Sequence, residues 1–239
     1  MKTKYLGKKN SYNKKSHSLL DPIERLTSSA KFGVDIWNIY DFMYLDKNNI
    51  PKLDIIEIKI PSKSKKIIES KSMKLYFNSF YNKKFSSKTE IISSIKNDFS
   101  KIITSNISVR FIKNFPKSPF SIDISKIKSK KTKPNKILTF NGFRSICPVT
   151  SQPDFAFIYI FSDVSIDVHW LKKYLISYKD HGDFHEQCID KIFNDIQDKF
   201  LPNHLEVCGR FHRRGGIDIN PIRGSKRKKL FVNFRILNQ

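Results

Sequence analysis

Phe155-Ala156-Phe157-Ile158-Tyr159-Ile160-Phe161 reads as one strand. It is dense in aromatic and β-branched side chains and carries neither proline nor glycine. Downstream the period changes. Val168 to Tyr178 places Leu171, Tyr174, Leu175 and Tyr178 on one stripe, the spacing of a helix. Asp183 stands where a cap is needed for a second helix, which turns Phe184, Cys188, Ile192, Ile196 and Phe200 inward and stops at Pro202-Asn203. Leu205 to Phe211 and Leu230 to Ile236 return to strand character. Strand, two helices, then strands predicts an antiparallel sheet with helices packed on one face, an α+β fold.

The N-terminal half has a similar grammar. Residues 1–35 are polar and basic and read as a mobile arm containing the turn-prone Leu20-Asp21-Pro22. Trp37, Ile39, Tyr40, Phe42, Met43 and Leu45 form an apolar cluster, and Asn48-Asn49-Ile50-Pro51 is a turn signal. Leu53 to Ile60 alternates Ile56, Ile58 and Ile60 against Ile55, Glu57 and Lys59, a strand pattern. Ile67 to Lys74 is expected as a second strand, and Phe77, Phe80, Tyr81 and Phe85 follow at near-helical spacing. Thr89 is the expected cap of a helix from Glu90 to Ile103, and Ile107 to Phe111 of a further strand. Lys113 to Lys136 is rich in Lys, Ser and Pro and reads as a linker, which leaves modules at 36–112 and 137–239.

Composition sets limits. The chain has 239 residues, 39% hydrophobic and 13% aromatic, enough for one large or two small cores. Lys+Arg 45 against Asp+Glu 22 gives +23, which invites a polyanionic partner, but the lysines are scattered rather than gathered in one motif. The basic start MKTKYLGKKNSYNKK has no apolar run behind it, and no stretch is long enough to span a bilayer. Three cysteines do not make a disulfide framework, so the expectation is a cytoplasmic protein with free thiols and no membrane partner.

One of those thiols is marked. Gly142-Phe143-Arg144-Ser145-Ile146-Cys147-Pro148-Val149-Thr150-Ser151-Gln152-Pro153-Asp154 sets an arginine three residues before a cysteine and a carboxylate seven after it. Thiolate is the reactive form of cysteine, and a nearby cation favours it. A carboxylate close by can move a proton to or from whatever the sulfur attacks. A buried cysteine beside a turn explains the same residues without chemistry.

FRSICPVTSQPD resembles the cysteine segment of the QueF nitrile reductases, which convert 7-cyano-7-deazaguanine to 7-aminomethyl-7-deazaguanine in the route to queuosine in tRNA. Glu69-Ser70-Lys71-Ser72-Met73-Lys74-Leu75-Tyr76, His185-Glu186-Gln187-Cys188 and Arg213-Arg214-Gly215-Gly216-Ile217-Asp218-Ile219-Asn220-Pro221 match further segments in the family's order. That order is similar to the longer, bimodular branch, although this chain is shorter between its halves and more basic. The resemblance implies two tandem tunnelling-fold (T-fold) modules, NADPH as hydride donor, a small-molecule substrate rather than nucleic acid, and a homodimer or larger homo-oligomer.

It also implies roles. Cys147 matches the nucleophile and Asp154 the proton donor. Ile68 (through its backbone), Glu69, Ser70, His185 and Glu186 match substrate contacts, and Ser70, Lys71, Arg214 and Gly215 match cofactor contacts, with no metal. Each has a plainer alternative. Asp154 is a turn cap after Pro153, Glu69 an exposed strand residue, and Arg213-Arg214 a solvated basic turn. Asp183 to Glu186 also fits a capping box, which would occupy Glu186 without a ligand. No G-x-G-x-x-G occurs, so the cofactor would not sit on a doubly wound domain. Two rival functions remain: a zinc cyclohydrolase type using Cys147, Cys188 and His181 or His185, and a basic RNA-binding module.

Overall fold

The computed structural model describes residues 16–25, 29–227, 229–237 and 239. In chain order the elements are β1 (Pro22–Glu24), β2 (Phe32–Leu45), β3 (Pro51–Pro61), β4 (Lys66–Ile68), α1 (Ser70–Asn78), α2 (Lys88–Ser100) and β5 (Ser108–Ile112). Then follow β6 (Ile122–Asp123), β7 (Lys136–Ile146), β8 (Pro153–Ser162), α3 (Val168–Ser177), α4 (His185–Phe200), β9 (Leu205–Phe211) and β10 (Ile217–Gly224). Of the arm expected over 1–35, residues 1–15 and 26–28 lie outside the described residues. The chain divides into two compact units, one of residues 16–25, 36–114 and 213–218, the other of residues 29–35, 115–212 and 219–239.

In the first unit β5, β3 and β2 lie side by side, with Ile58 paired antiparallel to Val109. Ile56, Ile58 and Ile60 are buried as their alternation requires. Around them Phe42, Tyr76, Phe77, Phe80, Phe85 and Phe99 build an aromatic core, Tyr76 edge-on to Phe99 at 5.7 Å. The expected strand from Ile67 to Lys74 is corrected: pairing with β1 stops at Ile68, and α1 starts at Ser70. The reason is local. Glu69 accepts from the N–H groups of Lys71 (2.7 Å) and Ser72 (2.8 Å), so it caps a helix that buries Met73, Tyr76 and Phe77. At α2 the cap is Ser87, not Thr89: its hydroxyl accepts from Glu90 N–H, and the Glu90 carboxylate accepts from Ser86 N–H.

In the second unit β10, β9, β8 and β7 run antiparallel in that order, with β6 parallel to β7 at the edge. Leu205, Val207 and Phe211 of β9, with Ala156, Ile158 and Ile160 of β8, face the buried stripes of α3 and α4. The segment after β10 covers the opposite face. Phe231 and Phe234 pack on Tyr159 at 6.0 and 5.0 Å, and the Arg210 guanidinium lies over Phe234 at 4.8 Å. This segment was expected as a strand over Leu230 to Ile236 and is irregular instead. Its first N–H groups, Leu230 and Phe231, donate to the Glu206 carboxylate (2.9 Å each) rather than to a neighbouring strand. The whole is α+β, largely antiparallel, as the sequence pattern predicts.

Candidate active site

The β7–β8 hairpin determines where the marked cysteine goes. Ile146 pairs with Pro153 and Ser145 with Asp154. One step further, Cys147 N–H donates to Gln152 O (2.9 Å) and Ser151 N–H to Cys147 O (3.0 Å). Ser151 closes this turn in the left-handed region at φ 55°. Directly paired residues share a sheet face, and so do residues two apart along a strand. Cys147, Ser145 and Asp154 therefore share one face, with Cys147 and Asp154 as diagonal neighbours roughly 7–8 Å apart at Cα. The seven-residue spacing is the arithmetic of this hairpin. Cys147 is half-buried and Asp154 buried.

The same alternation corrects the expectation for Arg144. Three residues from Cys147, it falls on the other face, donates to Lys179 O and lies 3.8 Å from Asp180. It is not the cation beside the sulfur.

The start of α4 supplies the remaining groups. His185 Nε2 lies 3.1 Å from Asp154 Oδ2, and the imidazole stacks on Phe211 with centroids 3.9 Å apart and planes 11° from parallel. His185 Nδ1 is buried and has no hydrogen-bond partner among the described residues. Glu186 is 3% exposed. Its capping alternative is overturned: the N-cap residue is Phe184, and the side chain that returns to it is Gln187, whose Oε1 accepts from Phe184 N–H at 3.4 Å. Below lies Cys188, fully buried in the apolar core. Burial pushes its thiol up, reinforced by Asp183, Asp154 and Glu186 and opposed by the Ser145 hydroxyl. Sequence reading gave His185 a substrate role, or a zinc-ligand role in the rival reading; its partnership with Asp154 and its seat on Phe211 join three elements and have no local signal.

Among the described residues no three His, Cys, Asp or Glu side chains cluster so as to hold a metal. Cys147, Cys188, His181 and His185 do not form such a set. His181 Nδ1 instead faces Ser177 O at 2.8 Å.

The first unit holds the other expected residues. Ile68 ends β4 and Glu69 caps α1; both are buried, and Ser70 Oγ donates to Glu69 Oε1 at 3.3 Å. Glu69 is thus neither exposed nor in a strand. Arg214 and Ile217 close a two-residue turn, Arg214 N–H to Ile217 O at 2.9 Å, with Gly215 (φ 59°) and Gly216 (φ 78°) left-handed. Two positive φ angles in succession define the type I′ hairpin turn, which glycine adopts without penalty. Beside it a cleft of about 350 Å³ is lined by Lys71, Lys74, Asn78, Asp41, Gly215 and Gly216. A Cβ on Gly215 would stand 3.3 Å from the Lys74 side chain, a tight approach at a φ that residues other than glycine rarely adopt. Two lysines beside a bare backbone turn suit a phosphate-bearing ligand.

A thiol on the hairpin turn, with a carboxylate and an imidazole in contact beside it, makes this end of the hairpin the candidate active site of an α+β enzyme. The family model described as "Nitrile reductase, 7-cyano-7-deazaguanine-reductase N-term" matches residues 11–111, and "QueF-like protein" matches residues 153–230. Three relatives carry the name NADPH-dependent 7-cyano-7-deazaguanine reductase. That of Buchnera aphidicola subsp. Schizaphis graminum is 41% identical over 81% of this chain and 82% of its own. A Polaromonas protein is 32% identical over 98% and 97%, and one from Desulfotalea psychrophila 35% identical over 87% and 83%. The chain belongs to the QueF nitrile reductase family.

Proposed function

We propose that this protein reduces the nitrile of 7-cyano-7-deazaguanine to the aminomethyl group, on the way to queuosine. The observation that carries the reading is the 3.1 Å contact of Asp154 with His185 on the hairpin face that also bears Cys147. A nitrile carbon resists hydride until a nucleophile has added to it. The Cys147 thiolate adds to that carbon, the nitrogen takes a proton from Asp154, and a thioimide forms without any leaving group. Bound NADPH supplies hydride to this centre. Once the carbon is reduced, Cys147 departs as thiolate and leaves an imine, which is reduced in turn. His185 holds Asp154 in place and, with Glu186, binds the base. A carboxylate accepts two adjacent N–H donors, which the edge of the deazaguanine offers. Glu69, Ser70 and the Ile68 backbone also contact the base; beyond its two cap bonds, the Glu69 carboxylate keeps acceptor capacity. Ser70, Lys71, Arg214 and Gly215 hold the NADPH phosphates.

The test is NADPH oxidation with and without the base. Nitrile to amine is a four-electron change, so two NADPH are expected per nitrile. Without NADPH the protein mass should rise by one whole ligand, and Cys147→Ala should abolish both that gain and turnover. One NADPH per nitrile, or turnover surviving in Cys147→Ala, defeats the proposal. The same reading includes a homodimer or larger homo-oligomer, checked by light scattering, and a cytoplasmic setting. Among the described residues no helix is long and apolar enough to cross a membrane.

A further inference from the structure

His185 owes its geometry to residues outside the hairpin turn, on β9 and in the tail. The imidazole lies almost parallel on the Phe211 ring, 3.9 Å between centroids. Phe211 is in turn held at its ring and at its backbone. Phe143 meets it edge-on at 6.1 Å and 89°. Gly209, two residues back on the same face of β9, gives it room: a Cβ there would stand 2.9 Å from Phe211 Cε2 and 2.8 Å from Ile189 Cδ1. On the backbone side, Gln239 Nε2 donates to Phe211 O (2.9 Å) and to Asn220 Oδ1 (2.7 Å), while Gln239 Oε1 accepts from Arg210 Nε and Nη2 at 3.3 and 3.2 Å. Gln239 is 6% exposed, and it is a polar plug in the face opposite α4.

We propose that Phe211, seated by Gly209 and Gln239, is a positioning residue that fixes the plane of the His185 imidazole and so aims Nε2 at Asp154. The inference rests on the reading of Asp154 and His185 as the proton-handling pair. A flat aromatic surface restrains ring tilt and leaves the ring edge free, which is what a donor–acceptor contact at one nitrogen and a ligand contact at the other require. Leucine, the smaller side chain, fills part of the same space, but it sets no plane.

The experiment uses the full chain with 13C-labelled histidine and steady-state kinetics. His185, assigned through His185→Gln, should show its imidazole protons shifted upfield by the Phe211 ring current. Phe211→Leu should move them back and lower kcat by about tenfold or more, since a misplacement near 1 Å costs roughly 10²-fold. KM for NADPH should change little, and Phe211→Tyr, which keeps the ring, should restore both shift and kcat. Gln239→Ala, which takes a hydrogen-bond partner from buried Arg210 and Asn220, should lower the melting temperature and should lower kcat in the same direction as Phe211→Leu but less. Loss of the ring-current shift with kcat unchanged overturns the proposal, as does a wild-type protein without the shift. A wild-type protein that has the shift but oxidises no NADPH with the base refutes the catalytic reading instead.

Discussion

Glu186→Gln separates binding from folding. Glu186 is 3% exposed at the first turn of α4, yet the box that closes this helix uses Gln187, so the substitution removes a charge and not a cap. The helix-terminus share of the folding cost is about 0.3–1 kcal/mol, a melting shift of at most roughly 4 °C for a chain this size. Binding should suffer more. A hydrogen bond to a charged group contributes about 1.5–3 kcal/mol, which is about 10- to 150-fold in affinity for the base. The assay is calorimetric titration of the base into Cys147→Ala and Cys147→Ala/Glu186→Gln, so that no adduct forms, beside thermal melts of both. A large fall in melting temperature with unchanged affinity would refute the argument. Glu69→Gln is the internal contrast. It disturbs two cap bonds of 2.7 and 2.8 Å, so it should lower stability by about 0.5–2 kcal/mol as well as affinity.

Asp154→Asn should slow turnover by roughly 10²- to 10⁴-fold, the usual contribution of a positioned acid, while the Asn amide still reaches His185; near-wild-type kcat would remove Asp154 from the chemistry. Mild alkylation of the native protein should modify Cys147 alone. Cys188 and Cys208 are fully buried, and burial pushes the Cys208 thiol up to about 12, so label found on either by peptide mapping before unfolding would contradict the structure.

The sequence showed those features whose period is local. Ile56, Ile58 and Ile60, and the α4 stripe of Cys188, Ile192 and Ile196, repeat at two and at three to four residues, and all are buried. Ile67 to Lys74 misled because β4 is only three residues long and the Glu69 cap begins a helix at once. Leu230 to Ile236 misled because a strand-like composition is satisfied by a carboxylate, Glu206, rather than by a ladder. At the site, the spacing of Cys147 and Asp154 was readable, but their shared face depends on the register Ser145↔Asp154, and Arg144 was misjudged by counting residues without alternation. Phe211, Gly209 and Gln239 meet His185 only after β9 and the tail are folded, and no window of sequence contains them together.

Charge distribution leads to a prediction that bears on substrate class. The chain carries +23, yet the start of α4 and its hairpin gather Asp154, Asp183 and Glu186. An acidic cluster favours an uncharged base with N–H donors and repels phosphate. The basic residues proposed for the cofactor, Lys71 and Arg214, lie in the other unit, with Lys74 in the cleft beside Gly215. Exposed charges are screened over a Debye length of about 10 Å at 0.1 M salt and about 3 Å at 1 M. Raising salt from 0.05 to about 0.5 M should therefore raise KM for NADPH several-fold and leave KM for the base nearly unchanged. Lys74→Gln should raise KM for NADPH at low salt and flatten its salt dependence, because a cation that no longer faces phosphate has nothing to be screened. If KM for the base rose with salt as steeply as that for NADPH, the base would be held by long-range attraction rather than by the paired acceptors of Glu186, and the assignment of the α4 start as the base-binding end would fall.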